Sequence, residues 1–368
     1  MALSYLYQLQ NADYQSLSAA NARVAVVDAD DSGLTTAELR ALQAEGGTLF
    51  SYLSIGEAED YRAYWQDGDW GENPPAFLLG ENPDWEGNYS VKFWDPEWQA
   101  LMIDAVVGLA ERGYNGAYLD IVDAFLRDEV VEAYGDGTGP GQSGDIRTDM
   151  EDFVIALSAA AKAVNPNFRI IPQNAVELLA TADDEAVPNT RYLEAIDGVG
   201  KEDTFYNNNR EPNWTEADVA LMRHAVEAGK FVLATDYPSD PARQADFIER
   251  ALAEGYIPFA ANRPLGNLGI EVVHQHAQGR LGAPGLGRHV EAVGGADDAG
   301  IVETGGHDRS PGLEHFRAKW APVRVKKTRK YSSGVLPPCR RSVRSGSGPQ
   351  RAGPLVQRRI QPQPQGSQ

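Results

Sequence analysis

The sequence predicts an α/β fold: a (β/α)8 TIM barrel over residues 1–270, followed by a low-complexity, disordered tail over 271–368. Three observations predict it. Short apolar runs alternate with amphipathic helical stretches at the spacing of a barrel, whose usual size is roughly 250 residues. Eight such runs read as strands, and none is followed by the glycine-rich phosphate fingerprint of a doubly wound sheet. The composition then reverses near residue 270. Residues 1–270 hold 17 Lys and Arg against 46 Asp and Glu, whereas 271–368 hold 16 against 7.

In chain order, RVAVVD (23–28) reads as the first buried strand, and TTAELRALQAEG marks the start of its helix. TLFSYLSIG (48–56) is the second strand and YSVKFW (89–94) the third. An Asp-Pro pair opens, and Gly113 closes, a helix over 95–113. GAYLD (116–120) is the fourth strand, with its helix near 147–164. FRIIPQN (168–174) and AIDGVGKED (195–203) are the fifth and sixth. The next helix, WTEADVALMRHAVEAG, carries a capping-box pattern from Thr215 to Asp218. KFVLATDY (230–237) and YIPFAAN (256–262) complete the eight, joined by the helical PARQADFIERALAEG.

Several function classes are excluded early. No apolar run approaches the roughly 18–20 residues of a membrane span. The N-terminal MALSYLYQLQNADYQ has neither the basic nor the apolar region of a signal peptide. A balance of −29 over residues 1–270 repels phosphate backbones, which argues against nucleic acid, and tolerates a cationic ligand. The only histidine before residue 270 is His224, inside a helical pattern where a surface role is expected, and the only cysteine is Cys339. Thiolate zinc sites, Cys–His nucleophiles and most Ser–His–Asp arrangements drop out. What remains is carboxylate, tyrosine or lysine chemistry, or an all-oxygen metal site. The tail, rich in Arg, Gly, Pro, Ser and Gln, lacks the apolar periodicity to bury a core. Its abrupt onset also fits a translational frameshift, which resequencing the DNA across residue 270 decides.

A barrel works at the C-terminal ends of its strands. There the sequence places Asp28 and Asp30, then Glu57, Glu59 and Asp60, then Trp94 and Asp95, then Asp120 and Asp123. Gln173 and Asn174, Glu202 and Asp203, and Asp236 and Tyr237 follow on the later strands. So many acids around one mouth need cations, hydrogen bonds or substrate to offset repulsion. A divalent-metal hydrolase and a two-carboxylate glycoside hydrolase both use such a rim. Five of the seven tryptophans, Trp65, Trp70, Trp85, Trp94 and Trp98, fall among loop-like Pro- and Gly-rich spacers. Exposed aromatic faces suit sugar rings, which favours the glycosidase. Part of the set packs under a long loop, with Trp98 in a helix core and Trp94, at a strand end, the ligand candidate. The candidate substrate contacts are Asp28, Glu57, Trp94, Asp123, Asn174, Asp236 and Tyr237.

The segments YLSIGEAEDYRAYW (52–65), NPDWEGNYSVKFWDPEWQ (82–99), GYNGAYLDIVDAF (113–125), IIPQNAVELL (170–179), VGKEDTFY (199–206) and LATDYP (233–238) together resemble glycoside hydrolase family 114. They are most similar to its bacterial subgroup once labelled extracellular cysteinyl-tRNA-synthetase-like, a label that no HIGH-type motif supports. The resemblance implies a (β/α)8 endo-α-1,4-polygalactosaminidase working without metal or cofactor. It carries the catalytic Asp onto Asp120 as nucleophile and the catalytic Glu onto Glu202 as acid/base, with Glu57 as an alternative Glu. It implies a polysaccharide substrate with free amines and an extracellular location, although no export signal is read. A non-catalytic polysaccharide-binding barrel is the alternative outside enzymes.

Overall fold

The computed structural model describes residues 5–263 and Leu265. The tail predicted for 271–368, with Cys339, lies outside the described residues. Among the described residues eleven strands run in chain order: β1 (Tyr5–Gln8), β2 (Val24–Val27), β3 (Thr48–Ser54), β4 (Glu57–Glu59), β5 (Leu78–Glu81), β6 (Asn88–Val91), β7 (Gly116–Asp120), β8 (Arg169–Pro172), β9 (Gly198–Glu202), β10 (Phe231–Asp236) and β11 (Ile257–Ala260). The helices are α1 (Tyr14–Ala20), α2 (Ala29–Ser32), α3 (Thr36–Ala44), α4 (Ala63–Gly68), α5 (Pro96–Arg112), α6 (Asp128–Tyr134), α7 (Ile146–Val164), α8 (Thr190–Ala195), α9 (Thr215–Glu227) and α10 (Pro241–Ala253).

Eight of the strands form a parallel ring. β1, β2, β3, β7 and β8 pair in that order, as do β9, β10 and β11. The two arcs join where Gln173 bridges Gly200 and where the Leu9 N–H donates to the Leu265 carbonyl at 2.9 Å. This is the predicted (β/α)8 barrel, with two changes of membership. Its first strand is Tyr5–Gln8, which the periodicity did not mark. YSVKFW is not in the ring at all. Its first residues form β6, the middle strand of an antiparallel sheet ordered β4-β6-β5 and inserted between β3 and α5. Its polar and apolar residues alternate as antiparallel strands allow, and within that sheet Ser90 and Val91 are enclosed while Asn88 and Tyr89 are half-buried.

The helix signals hold with one exception. Thr35 and Glu38 form a reciprocal capping box on α3, and Asp95, Pro96 and left-handed Gly113 bound α5. The box expected at Thr215 does not form. Thr215 starts α9, and its hydroxyl instead donates to the Thr204 carbonyl at 2.7 Å. Asp218 turns to Lys201, 3.2 Å away, because that buried ammonium needs a counter-charge.

The aromatic loop region is largely core. Trp65, Trp70, Tyr64, Phe77 and Trp98 stack on one another beneath the inserted sheet, and the Trp98 indole donates to the Ile55 carbonyl at 2.8 Å. Only Trp85 of the five clustered tryptophans is open, at 60% exposure. Among the described residues no helix is long and apolar enough to cross a membrane.

Candidate active site

Strand geometry alone brings two carboxyl groups into the mouth of the ring. Side chains alternate along a strand, so Gly116, Tyr118 and Asp120 share one face of β7, and Gly198, Gly200 and Glu202 one face of β9. That face is the ring interior: a Cβ on Gly116 would strike the Phe50 ring, on Gly198 the Phe231 ring, and on Gly200 the Tyr118 hydroxyl. The glycines leave room for stacked aromatics, and the next inward positions up are the two acids. Gly200→Ala is therefore expected to cost about 1–3 kcal/mol by overpacking. It would be read as a lower urea midpoint with unchanged slope.

Each acid is held at both oxygens. Asp120 Oδ2 accepts from the Tyr52 hydroxyl at 2.9 Å, and Oδ1 from the Ile121 N–H at 2.8 Å. Glu202 Oε2 accepts from the Gln173 amide, and Oε1 from the Tyr237 hydroxyl. The Glu202 N–H donates to Asn174 Oδ1 at 3.1 Å, and the Arg263 guanidinium lies 4.1 Å over the Tyr237 ring while pairing with Asp203 at 2.6 Å. Burial pushes both carboxyls up. On Asp120 the charge of Glu202 adds to burial and, against the pull of Ile121 and Tyr52, takes it to about 8. The charge of one acid thus bears on the titration of the other, and the two are read as an interacting pair.

The backbone leaves three adjacent ring strands in the same way. Ile121 (φ 57°), Asn174 (φ 62°) and Asp203 (φ 54°) are left-handed directly after Asp120, Gln173 and Glu202. Asn and Asp tolerate this conformation; a β-branched Ile does not, so Ile121 carries strain on the order of 1–3 kcal/mol. Gly56 permits it, since any side chain there would strike the Ile121 carbonyl.

The other predicted contacts divide. Tyr237 and Asn174 belong to the pair, as described. Asp123 sits in the 3₁₀ turn Val122–Leu126 and adds to the field at Asp120; burial raises its own carboxyl, opposed by Arg127 and Lys201. Four contacts need correction. Asp28 caps α2 and forms two hydrogen bonds with Arg62, at 2.9 and 2.7 Å, so it is engaged within the protein. Glu57 is 0% exposed, paired with Arg127 and accepting from Asn82 at 2.7 Å and Asn88 at 3.2 Å. Its role is to pin the inserted sheet. Asp236 is likewise 0% exposed, and its oxygens accept the N–H groups of Thr204, Phe205 and Tyr206 at 2.7–2.8 Å. Burial still lifts it to about 6. Trp94 is buried edge-on against Phe93 and Tyr134 and presents no open face.

Resident arginines thus account for much of the acidic rim. Arg62 alone gathers Asp28, Asp30 at 3.1 Å and Glu59 at 2.6 Å. Among the described residues no group of three or more His, Cys, Asp or Glu side chains is arranged to hold a metal ion. Sequence reasoning missed Tyr52, Arg62, Arg127 and Arg263 and left Gln173 without a role. The signal for Gln173 was its position, inward-facing at a strand end.

Comparison with known proteins agrees with this architecture. A protein of Deinococcus radiodurans is 38% identical over 244 residues, covering 66% of this chain and 72% of its own. One of Methanocaldococcus jannaschii is 34% identical over 273 residues, covering 70% of this chain and 75% of its own. The glycoside hydrolase domain of PelA from Pseudomonas aeruginosa superposes with TM-score 0.51 at 21% identity, over 73% of this chain and 97% of that domain. Aspergillus fumigatus Ega3, in complex with galactosamine, does so with TM-score 0.55 at 16% identity, over 73% and 94%. The model of glycoside-hydrolase family GH114 matches residues 2–278, most of the chain; the protein belongs to that family and is a glycosidase.

Proposed function

We propose that this glycosidase cleaves within an α-1,4-linked, galactosamine-containing polysaccharide, with Asp120 as nucleophile and Glu202 as acid/base. The observation that carries the proposal is the pair itself: two carboxyls at the ends of β7 and β9, each oriented at both oxygens, with the charge of Glu202 acting on Asp120. Glycoside hydrolysis needs one carboxyl ionised and one protonated. With Glu202 protonated and Asp120 ionised, Asp120 attacks the anomeric carbon. The bond to the leaving oxygen breaks as Glu202 protonates that oxygen. Glu202 then takes a proton from water, whose oxygen displaces Asp120. The strained Ile121 turn and the Tyr52 hydroxyl hold the Asp120 carboxylate for attack. The substrate class is supported by family membership, by the galactosamine bound to the structurally similar Ega3, and by the balance of −29 over residues 1–270, which suits a polymer bearing ammonium groups.

The test is release of reducing ends from partially deacetylated polygalactosaminide. Glu202→Gln is expected to lower it by about 10²–10⁴-fold, with activity unaffected by EDTA. Equal release by wild type and Glu202→Gln would remove Glu202 from the mechanism; loss on chelation would point to a metal hydrolase.

A further inference from the structure

Behind Glu202 lies a hydrogen-bond chain that ends in a residue no substrate can reach. The Gln173 amide donates through Nε2 to Glu202 Oε2, and its Oε1 accepts from the Tyr7 hydroxyl at 3.1 Å. Tyr7 and Gln173 are each 1% exposed, and the Tyr7 ring packs against Tyr118 with centroids 5.1 Å apart inside the barrel. An ionised carboxylate only accepts, whereas an amide has one accepting and one donating end. Nothing in the amide itself decides which end faces Glu202. The carboxylate calls for the donating end, and the hydroxyl on the far side, donating to Oε1, keeps the amide turned that way.

We infer that Tyr7 is a positioning residue for the acid/base, acting through Gln173: its hydroxyl holds the amide with the donating end toward Glu202. Without that hydroxyl, Oε1 loses its donor in a dry interior, and the amide, held at one end only, is free to turn off the carboxylate. The charged form of Glu202 then loses one of its two side-chain donors, and its affinity for a proton rises. The ionisable groups within electrostatic reach of Glu202 are Tyr5 and Tyr7 from β1, Tyr118 and Asp120 from β7, Lys201 and Asp203 beside it, Tyr237 after β10 and Arg263 after β11. Tyr237 serves the other oxygen, Oε1, and Gln173 donates to Oε2.

The inference rests on the proposed acid/base role of Glu202, but its test uses no substrate, so failure of either is seen separately. The full chain is labelled with ¹³C at glutamate Cδ. The Glu202 resonance is assigned by its loss in Glu202→Gln, and its titration midpoint is read by NMR. Tyr7→Phe should raise the midpoint by roughly 0.5–1 pH unit, a three- to tenfold tighter proton. Gln173→Leu should move it the same way, and adding Tyr7→Phe to that variant should move it no further. A merely structural tyrosine would lower the melting temperature and leave the midpoint in place. An unchanged midpoint in folded Tyr7→Phe, or additive shifts in the double variant, would overturn the inference. Should Tyr7→Phe not fold, 3-fluorotyrosine at position 7 keeps the hydroxyl and makes it a stronger donor. The midpoint should then fall, and a constant or rising value would overturn the inference equally.

Discussion

Asp120→Asn is expected to reduce turnover by roughly 10³-fold or more and, in the same protein, to raise the melting temperature. The loss follows from removing the proposed nucleophile while its Tyr52 and Ile121 partners stay in place. The gain follows from the environment that makes Asp120 useful. Burial, with the charge of Glu202, lifts its carboxyl from an ordinary 3.8 to about 8. The folded state therefore holds a proton that the unfolded chain releases. This carboxyl's contribution to stability is greatest below pH 3.8 and is lost as pH rises through 8. Asparagine has no proton to lose. The variant should melt a few degrees higher than wild type at pH 8, at roughly 2–4 °C per kcal/mol for a domain of this size, and with little difference at pH 4. Calorimetry across that range is the measurement. Parallel melting curves for the two proteins at every pH would contradict a buried Asp120 carboxyl raised in this way.

Arg62→Met should be among the most destabilising single changes, at about 3–5 kcal/mol at neutral pH, the range for breaking a buried ion pair. The guanidinium is nearly buried and touches Asp28 and Asp30 at the start of α2 and Glu59 on β4. Methionine fills similar volume but leaves Asp28 and Glu59 charged in a dry site. Burial already raises Glu59, with Arg62 the strongest opposing influence. Without Arg62 that carboxyl rises further, so the variant's deficit shrinks as falling pH protonates it. Denaturant midpoints at pH 7 and pH 5 check this: a loss under about 1 kcal/mol at pH 7, or one that grows on acidification, would mean that Arg62 does not offset these acids.

The sequence reading placed Asp120 on the fourth strand and Glu202 on the sixth, and both counts survive because two misreadings cancel. β1 escapes notice because four residues, YLYQ, carry no periodicity long enough to read; their strand character comes from pairing with β2. β6 was counted in its place because alternation marks a strand without saying which sheet it joins. The two central acids were legible because a strand end and an inward parity are local properties. The fates of Asp28, Glu57 and Asp236 were not. Each is decided by a partner distant in sequence, at Arg62, at Arg127 or along residues 204–206. The tryptophans misled for a related reason: a Pro- and Gly-rich stretch looks like open loop until its own rings are found packing on one another.

The Glu57–Arg127 pair has a mechanical consequence. Glu57 belongs to the inserted sheet and accepts from Asn82 and Asn88 within the insertion, while Arg127 ends the turn that begins right after Asp120. Neither segment can lift away without stranding a charge that is otherwise fully enclosed. The insertion and the Asp120 turn are thereby yoked into one cooperative unit, and that side of the barrel mouth breathes as a single block rather than loop by loop.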